Sequence, residues 1–250
     1  MDLQLKGKTA VVTGASKGIG AGIAKRLAAE GARVIVNYNQ GKADAEKVVR
    51  EIAAEGGKAA AVQGNVAHAA DVKRLFETAV STFGPVEVLV NNAGVYGFGP
   101  IDGFKEEDYQ YQFNTNVKGV FLTIQESLKH FPASGGSIVN ISSVVSEGPI
   151  AYASVYAATK AALDVLSESL AIELAPRKIR VNVVAPGPVE TEGTHAAGMI
   201  GSDLLNKIVA ETPLGRIGQP EDVAETVVYL ASAKSAWVTG ERIGVAGGLK

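Results

Sequence analysis

Short β-branched runs alternate with longer alanine-rich segments along the whole 250-residue sequence. This alternation is typical of repeated β-α-β units, in which helices cover both faces of a parallel sheet and the buried strands read as continuous apolar runs. The strand candidates are residues 9–13, 33–37, 59–63, 86–90, 137–141, 180–184 and 242–245. The helix candidates are residues 18–30, 43–55, 69–83, 105–130, 154–175 and 220–232. The pattern predicts an α/β fold with a doubly wound, seven-stranded parallel sheet flanked by helices.

No stretch rich in proline, glycine or serine divides the sequence, so we interpret residues 1–250 as a single domain. Residues 186–213 interrupt the alternation with glycine, threonine and other small residues, and they contain one short helical pattern near 202–211. An irregular segment beyond a strand end is typical of a binding loop. We therefore expect a substrate lid at about 188–213.

Composition excludes several classes of site and partner. The sequence has no cysteine, which rules out disulfides, thiolate metal ligands and a cysteine nucleophile. His68, His130 and His195 are too scattered to predict a metal site, and a formal charge of -2 gives no general attraction to nucleic acid or anionic lipid. No apolar run approaches the roughly 20 residues of a membrane span, and the first residues lack a secretory signal pattern. We expect a cytoplasmic protein without nucleic-acid or membrane partners.

The first strand candidate leads into a glycine-rich segment, residues 13–20, and then into a helix candidate. Gly14 can form a tight turn, Gly18 lets the backbone approach a pyrophosphate, and Gly20 allows close packing of helix on sheet. The helix would direct its N-terminus at the anion. A glycine motif alone is a weak signal, but this order of strand, turn and helix predicts a Rossmann-like dinucleotide site. The contacts predicted in this loop are Gly14, Ser16, Lys17, Gly18, Ile19 and Gly20.

The second strand candidate ends in Asn37, Tyr38 and Asn39, which are predicted to contact the adenosine ribose. NAD sites usually have an acid near this point, and none is present here to bind the ribose diol or to repel a 2′-phosphate. Lys17 offers a cation for that phosphate. The sequence therefore favours NADP(H) over NAD(H). The alternative is that Lys17 is only solvated and that NAD binds through the neutral asparagines.

Tyr156 and Lys160 are four residues apart in a helix candidate, so their side chains lie on one face. A free tyrosine has a pKa of about 10, and a nearby ammonium favours the phenolate. We expect Lys160 to lower the pKa of Tyr156, which could then act as an acid in carbonyl reduction and as a base in alcohol oxidation. Alone, the same spacing also describes an ordinary solvated helix pair.

Five motifs occur along the chain in a particular order: residues 13–20, 91–94 (Asn-Asn-Ala-Gly), 116–119 (Asn-Val-Lys-Gly), 142–143 (Ser-Ser) and 156–160 (Tyr-Ala-Ala-Thr-Lys). Pro186, Gly187, Val189 and Thr191 after the sixth strand candidate extend the pattern. The whole series resembles the short-chain dehydrogenase/reductase family over practically the entire chain. The resemblance is to the branch that holds β-ketoacyl carrier-protein reductases and bacterial glucose 1-dehydrogenases.

The resemblance implies catalytic roles for four residues. Tyr156 would exchange a proton with the substrate oxygen, and Ser143, thirteen residues earlier, would hydrogen-bond the same oxygen. Lys160 would lower the pKa of Tyr156 and hold the nicotinamide ribose. Asn116 would position a water that links Lys160 to solvent. Ser142 is interpreted as structural.

The resemblance also implies further cofactor contacts. They are Asn65, Val66, Asn92, Ala93, Gly94, Tyr156, Lys160, Pro186, Gly187, Val189 and Thr191. Asn91 and Asn92 could instead cap a strand end, and Pro186 with Gly187 could form only a turn. Two positions depart from the family pattern. Asn65 stands where an aspartate is usual beside the adenine, and Ala246 stands where an acid commonly precedes two glycines.

The resemblance implies an NADP(H)-preferring oxidoreductase that reversibly reduces a ketone to a secondary alcohol. An NAD(P)-dependent sugar or polyol dehydrogenase is the alternative, because residues 190–195 look more like the glucose 1-dehydrogenases. A non-catalytic cofactor-binding protein is a third reading. The family also implies a homotetramer, formed through the helices of the fourth and fifth crossovers and the C-terminal strand.

Substrate choice would depend on residues 96–99, on residues 146–152 and on the lid. Pro149, Ile150, Tyr152 and Met199 predict a partly apolar pocket for a small-molecule carbonyl or alcohol.

Overall fold

Seven strands form one parallel sheet within residues 2–196 and 198–249, the part of the chain that the computed structural model describes. The strand order is β3-β2-β1-β4-β5-β6-β7. From β1 the chain adds β2 and β3 on one side of the sheet, and it then adds β4 to β7 on the other side. This confirms the predicted doubly wound α/β fold. The strands are β1 Thr9–Val12, β2 Arg33–Tyr38, β3 Lys58–Gln63, β4 Val86–Asn91, β5 Gly136–Ile141, β6 Ile179–Pro186 and β7 Arg242–Val245.

Helices cover both faces of this sheet, and each face has its own apolar core. Successive residues of β1 pack into different cores, since Ala10 and Val12 lie in one core and Val11 lies in the other. Leu27 of α1 and Val227 of α9 join the first core, while Leu75 of α3 joins the second. The helices are α1 Gly18–Ala29, α2 Lys42–Ala54, α3 Ala69–Phe83, α4 Glu106–Phe113, α5 Gly119–Ser127, α6 Ser154–Leu174, α7 Glu192–Ala196, α8 Asp203–Glu211 and α9 Pro220–Ala231.

The helix predicted over residues 105–130 is interrupted in its middle. Residues Asn114–Lys118 form a π-helical segment between α4 and α5. Asn116 in this segment is buried, and its amide bonds to the Val95 backbone and to Thr159, partners outside the helix. These tertiary hydrogen bonds favour the wider turn, which the local pattern did not predict.

The lid segment contains more helix than was predicted. The expected short helix is present as α8, and α7 lies before it. Residue 197, between these helices, lies outside the described residues. None of the described helices is both long and apolar enough to cross a lipid bilayer. The loops that leave β1, β4, β5 and β6 all begin at the carboxyl edge of the sheet, and they bring the distant sequence motifs together there.

Candidate active site

A cleft of about 860 Å³ opens at the carboxyl edge of the sheet, near the point where β1 and β4 lie side by side. The predicted cofactor contacts on its walls are Gly14, Ser16, Lys17, Gly18, Ile19, Gly20, Asn37, Asn39, Asn65, Val66, Asn92, Ala93, Gly94 and Thr191. Tyr38 is not on these walls, because its side chain packs into the apolar core. Pro186, Gly187 and Val189 are likewise absent from the cleft lining.

Glycine is required by the shape of the loop after β1. Gly14 and Gly18 have φ angles of +61° and +57°, which side chains disfavour. A Cβ on Gly14 would lie 2.8 Å from the Cα of Ala93, and one on Gly20 would lie 2.4 Å from the Asn92 amide nitrogen. The loop therefore brings bare backbone to the cleft at the start of α1, where unpaired N–H groups favour an anion. This cradle fits the pyrophosphate of a dinucleotide.

Thr13 connects the glycine loop to the loop after β4, a role that sequence reasoning missed. Its hydroxyl oxygen accepts hydrogen bonds from the backbone nitrogens of Asn92 and Ala93, both at 3.0 Å. The Asn92 amide donates in return to the carbonyl oxygens of Thr13 and Gly14, at 2.9 and 3.0 Å. A buried threonine directly before the first glycine was the available signal. These bonds hold the two cofactor-facing loops in a fixed relation.

At the end of β2, the Asn37 amide makes its hydrogen bonds within the protein. The Asn37 amide is buried, accepts from the Gly14 nitrogen at 3.3 Å, and donates to the carbonyls of Val62 and Gly64. Asn37 therefore shapes the glycine loop. Asn39 and Lys17 are exposed on the cleft wall, and the carboxylate of Asp44 at the start of α2 lines the same cleft.

Asn65 also has an internal hydrogen bond. Its side-chain oxygen accepts from the backbone nitrogen of Ala67 at 3.0 Å, and its own backbone nitrogen donates to the Asp71 carboxylate at 3.0 Å. The hydrogen bond from the Asn65 backbone nitrogen is the main reason that the pKa of Asp71 is below its usual range. Because a carbonyl oxygen has two lone pairs, the Asn65 amide retains one for an adenine amino group.

Tyr156, Lys160 and Ser143 converge beside the cofactor cleft. The Lys160 ammonium lies 5.7 Å from the centre of the Tyr156 ring and donates to the Ile141 carbonyl at 2.8 Å. A Cβ on Gly94 would lie 3.5 Å from the Lys160 nitrogen and 3.4 Å from the Asn116 amide oxygen, so both polar groups border this loop. Helix α6, the loop after β5 and the π-helical segment thus bring the four predicted catalytic residues to one place.

Burial is the largest influence on the pKa values of both Tyr156 and Lys160. It raises the pKa of Tyr156, and the hydrogen bond with the Ser143 hydroxyl opposes that rise. It lowers the pKa of Lys160 to about 8, against the opposing charge of Asp164. The expected lowering of the Tyr156 pKa by Lys160, whose ammonium donates to the Ile141 carbonyl, stays a prediction.

The Asn116 side chain makes three hydrogen bonds to protein groups. Its oxygen accepts from the Val95 nitrogen at 2.8 Å, and its nitrogen donates to the Val95 carbonyl at 2.7 Å and to Thr159 at 3.0 Å. Thr159 in turn donates to the Tyr156 carbonyl at 2.7 Å. Asn116 therefore ties the loop after β4 to the catalytic helix. Its expected role in holding a water stays a prediction.

Arg242 on β7 holds the segment that contains Ser143, a role that sequence reasoning missed. Its guanidinium donates to Asp164 at 3.0 Å and to Glu147 at 2.7 Å. It also donates to the Ser143 carbonyl at 3.2 Å and to the Ser146 hydroxyl at 3.0 Å. Asp164 is one helical turn beyond Lys160 on α6, so this arginine links the strand-end serine to the catalytic helix.

The lid contacts the glycine loop through Glu192, whose carboxylate accepts from the Gly18 nitrogen at 3.0 Å. Glu190 accepts from Gln219 at 3.0 Å and lies 2.9 Å from the His195 ring nitrogen. These two bonds, the one from Gln219 first, lower the pKa of Glu190. The contacts with Gly18 and Gln219 were not predicted, because they join segments that are distant in sequence.

The chain is similar to known oxidoreductases and to a solved structure that contains NADPH. A family model described as Enoyl-(Acyl carrier protein) reductase matches residues 14–250. An uncharacterized oxidoreductase of Methylorubrum extorquens is 56% identical over 99% of both chains. A 3-oxoacyl-[acyl-carrier-protein] reductase of Staphylococcus aureus is 44% identical over 97% of this chain and 98% of its own. The crystal structure of a blue fluorescent protein from a metagenomic library in complex with NADPH has a TM-score of 0.91 and 38% identity, over 98% of each chain.

Proposed function

Because this chain belongs to the short-chain dehydrogenase/reductase family of oxidoreductases, we propose that it reduces a ketone to a secondary alcohol with NADPH and catalyses the reverse oxidation. The observation that carries this proposal is the convergence of Tyr156, Ser143 and Lys160 at the border of the glycine-loop cleft. A nicotinamide cofactor bound in that cleft would supply the hydride.

The protein's own contribution is proton transfer and orientation. In reduction, the Tyr156 phenol would give its proton to the carbonyl oxygen, and the carbonyl carbon would accept the hydride that the cofactor supplies, so that C=O becomes C–H and O–H. The Ser143 hydroxyl would donate a hydrogen bond to the same oxygen. Burial that raises the pKa of Tyr156 keeps the phenol protonated, as an acid requires. Lys160, with a pKa of about 8, is mostly charged at neutral pH and favours the negative charge left on Tyr156.

NADP(H) preference rests on the end of β2 and on Lys17. Lys17 is exposed on the cleft wall, and β2 ends in Asn37 and Tyr38 without a carboxylate. Asp44, on the same wall, opposes a 2′-phosphate by charge. The proposal is that Lys17 outweighs Asp44, because an ammonium can donate directly to the phosphate oxygens.

The experiment that tests the proposal follows NADPH and NADH oxidation against ketones, ketoesters and quinones, with glucose and NADP in the reverse direction. The expected result is reduction of ketones at a higher kcat/KM with NADPH. Oxidation of glucose without reduction of any ketone would instead establish the sugar dehydrogenase alternative. Binding of NADPH without turnover on any substrate would establish the non-catalytic reading.

A homotetramer is the proposed assembly, and the cytoplasm is the proposed location. Phe121 on α5 and Val165 and Ile172 on α6 are exposed, and so is Trp237 near β7. Large apolar side chains clustered on the surface favour interfaces. These positions agree with contacts through the fourth and fifth crossover helices and the C-terminal strand. Light scattering on the purified protein would measure the oligomeric state.

A further inference from the structure

Aromatic side chains form the walls of a second cleft, on the substrate side of Tyr156. We call it the aromatic cleft and define it by Tyr96, Phe98, Ile150, Tyr152 and Val155. It comprises two adjoining cavities of about 240 and 520 Å³, both lined by Tyr152. Ile150 and Tyr152 were predicted for an apolar pocket, whereas Pro149 and Met199 are not on its walls.

Two of these aromatic rings contact the proposed catalytic phenol directly. The ring centres of Tyr96 and Phe98 lie 6.2 and 6.3 Å from that of Tyr156, and both stand nearly perpendicular to it. Tyr96 and Phe98 also touch each other, with ring centres 5.7 Å apart. These are the distances of favourable edge-to-face contacts. A carbonyl held at the Tyr156 hydroxyl therefore has its substituents beside two aromatic rings.

The large side chains of the aromatic cleft are exposed to solvent although they are mostly apolar. Phe98 is 56% exposed, Tyr152 is 65% exposed and Ile150 is 56% exposed. Contiguous apolar surface of this kind, next to a catalytic group, marks a site that an apolar ligand covers. The charged residues of the lining are Asp102, Lys105 and Asp108, which lie before or at the start of α4. The lining residues whose rings pack against Tyr156 are Tyr96 and Phe98.

The aromatic cleft is also held in shape. The Gly99 nitrogen donates to the Tyr152 carbonyl at 2.8 Å, which connects the loop after β4 to the loop before α6. Tyr152 has a φ angle of +66°, a conformation that a bulky residue rarely adopts. The Tyr96 hydroxyl donates to the Gly193 carbonyl of the lid at 3.3 Å. The walls are therefore positioned before a ligand arrives.

We infer that the carbonyl substrate is a ketone bearing an aryl group or a similarly flat apolar group, which lies between Phe98 and Tyr152. This inference rests on the proposed ketone reduction and adds the class of substrate. Since an apolar cavity of about 150 Å³ binds benzene, a cavity of about 240 Å³ accepts one ring. A polyol placed between Phe98 and Tyr152 would have its hydroxyl groups against ring carbons, which do not replace the hydrogen bonds lost from water.

The test compares an aryl methyl ketone with a short aliphatic methyl ketone in the wild type, in Phe98→Leu and in Tyr229→Leu. Tyr229 is the control, because it is 40% exposed on α9 and is not part of the aromatic cleft. We expect kcat/KM for the aryl ketone to exceed that for the aliphatic ketone at least tenfold. Phe98→Leu should lower only the aryl value, about tenfold and mainly through KM, and Tyr229→Leu should change neither.

Equal efficiency on both ketones, or an equal loss on both in Phe98→Leu, would overturn the inference while leaving ketone reduction intact. If no ketone is reduced, the proposed function fails instead. A second measurement separates these cases, namely calorimetric binding of an aryl secondary alcohol in the presence of NADP. Tenfold weaker binding in Phe98→Leu than in the wild type would support the aromatic cleft without turnover, and identical binding would contradict it.

Discussion

The Glu192 carboxylate of the lid lies 3.0 Å from the backbone nitrogen of Gly18, and it accepts that N–H at the first residue of α1. The same N–H belongs to the group of donors that favours an anion at a helix N-terminus. A cofactor pyrophosphate bound there would compete with the Glu192 carboxylate for this donor, and the like charges would repel. We therefore expect helix α7 to shift when the proposed cofactor binds.

Glu192→Gln should bind NADPH more tightly, because the amide keeps the size of the side chain and removes the repulsion. We expect a Kd about tenfold lower, which corresponds to about 1.4 kcal/mol. Fluorescence titration with NADPH measures it. Glu211→Gln, an exposed acid at the end of α8, is the control and should leave the Kd unchanged. Unchanged or weaker binding in Glu192→Gln would show that the carboxylate does not compete.

Tyr156→Phe removes the phenol and keeps the ring against Tyr96 and Phe98. Because a positioned acid contributes about 100-fold to 10,000-fold, kcat for ketone reduction should fall by that range. The affinity for NADPH should stay within twofold. Tyr229→Phe on α9 is the matched control, with activity like that of the wild type. Activity retained in Tyr156→Phe would exclude the acid/base role.

Lys17→Ala should change cofactor preference. Loss of one ammonium near the 2′-phosphate is expected to raise KM for NADPH about tenfold, because charge-assisted bonds to phosphate are among the stronger polar contacts. KM for NADH, which lacks that phosphate, should change less than twofold. Lys42→Ala, an exposed lysine of α2 paired with Glu46, controls for a general loss of positive charge. Equal effects on both cofactors would mean that Lys17 does not read the phosphate.

Lys160 should give the protein a stability that increases with pH. Burial lowers its pKa from 10.5 to about 8, so the unfolded chain binds more protons than the folded one between these values. The free energy of unfolding then rises with pH across that window. Relative to Lys160→Met, the wild type should gain about 2 to 3 kcal/mol between about pH 7 and pH 10. Urea unfolding measures the difference, and a pH-independent difference would refute the lowered pKa.

Arg242→Gln should lower kcat through Ser143. The substitution removes donors to the Ser143 carbonyl and to Asp164, so the strand end that presents the serine loses its support. We expect kcat to fall about tenfold, with NADPH affinity unchanged, since a small displacement of a positioned group is costly. In a Ser143→Ala background, Arg242→Gln should have no further effect on kcat. A full additional loss there would mean that Arg242 acts by another route.

The strands and most helices followed from local pattern, because buried parallel strands are short apolar runs and helices have a different period. The π-helical segment did not, since Asn116 is held by Val95 and Thr159, whose positions depend on the fold. Tyr38 illustrates a second limit. It stands beside Asn37 at a strand end, but alternate residues face opposite sides, and its side chain enters the core.

The site could be predicted where its residues are close together in the sequence, as in the glycine loop and the Tyr156–Lys160 pair. It was not predictable where it depends on residues brought together by the sheet. Arg242 and Ser143 are 99 positions apart and meet only because β5, β6 and β7 are neighbours. The pKa of Tyr156 depends on the same packing, because burial outweighs the hydrogen bond with Ser143.

The π-helical segment Asn114–Lys118 makes the length of this stretch as important as its residue types. A π-helical turn holds one residue more than an α-helical turn. Deleting one residue within the segment would therefore allow an unbroken α-helix, with α4 and α5 in nearly the same relative orientation. The bulge that lets Asn116 face Val95 while Val120 and Ile124 stay in the core would be lost. This stretch therefore tolerates exchange of side chains more readily than loss of one backbone unit.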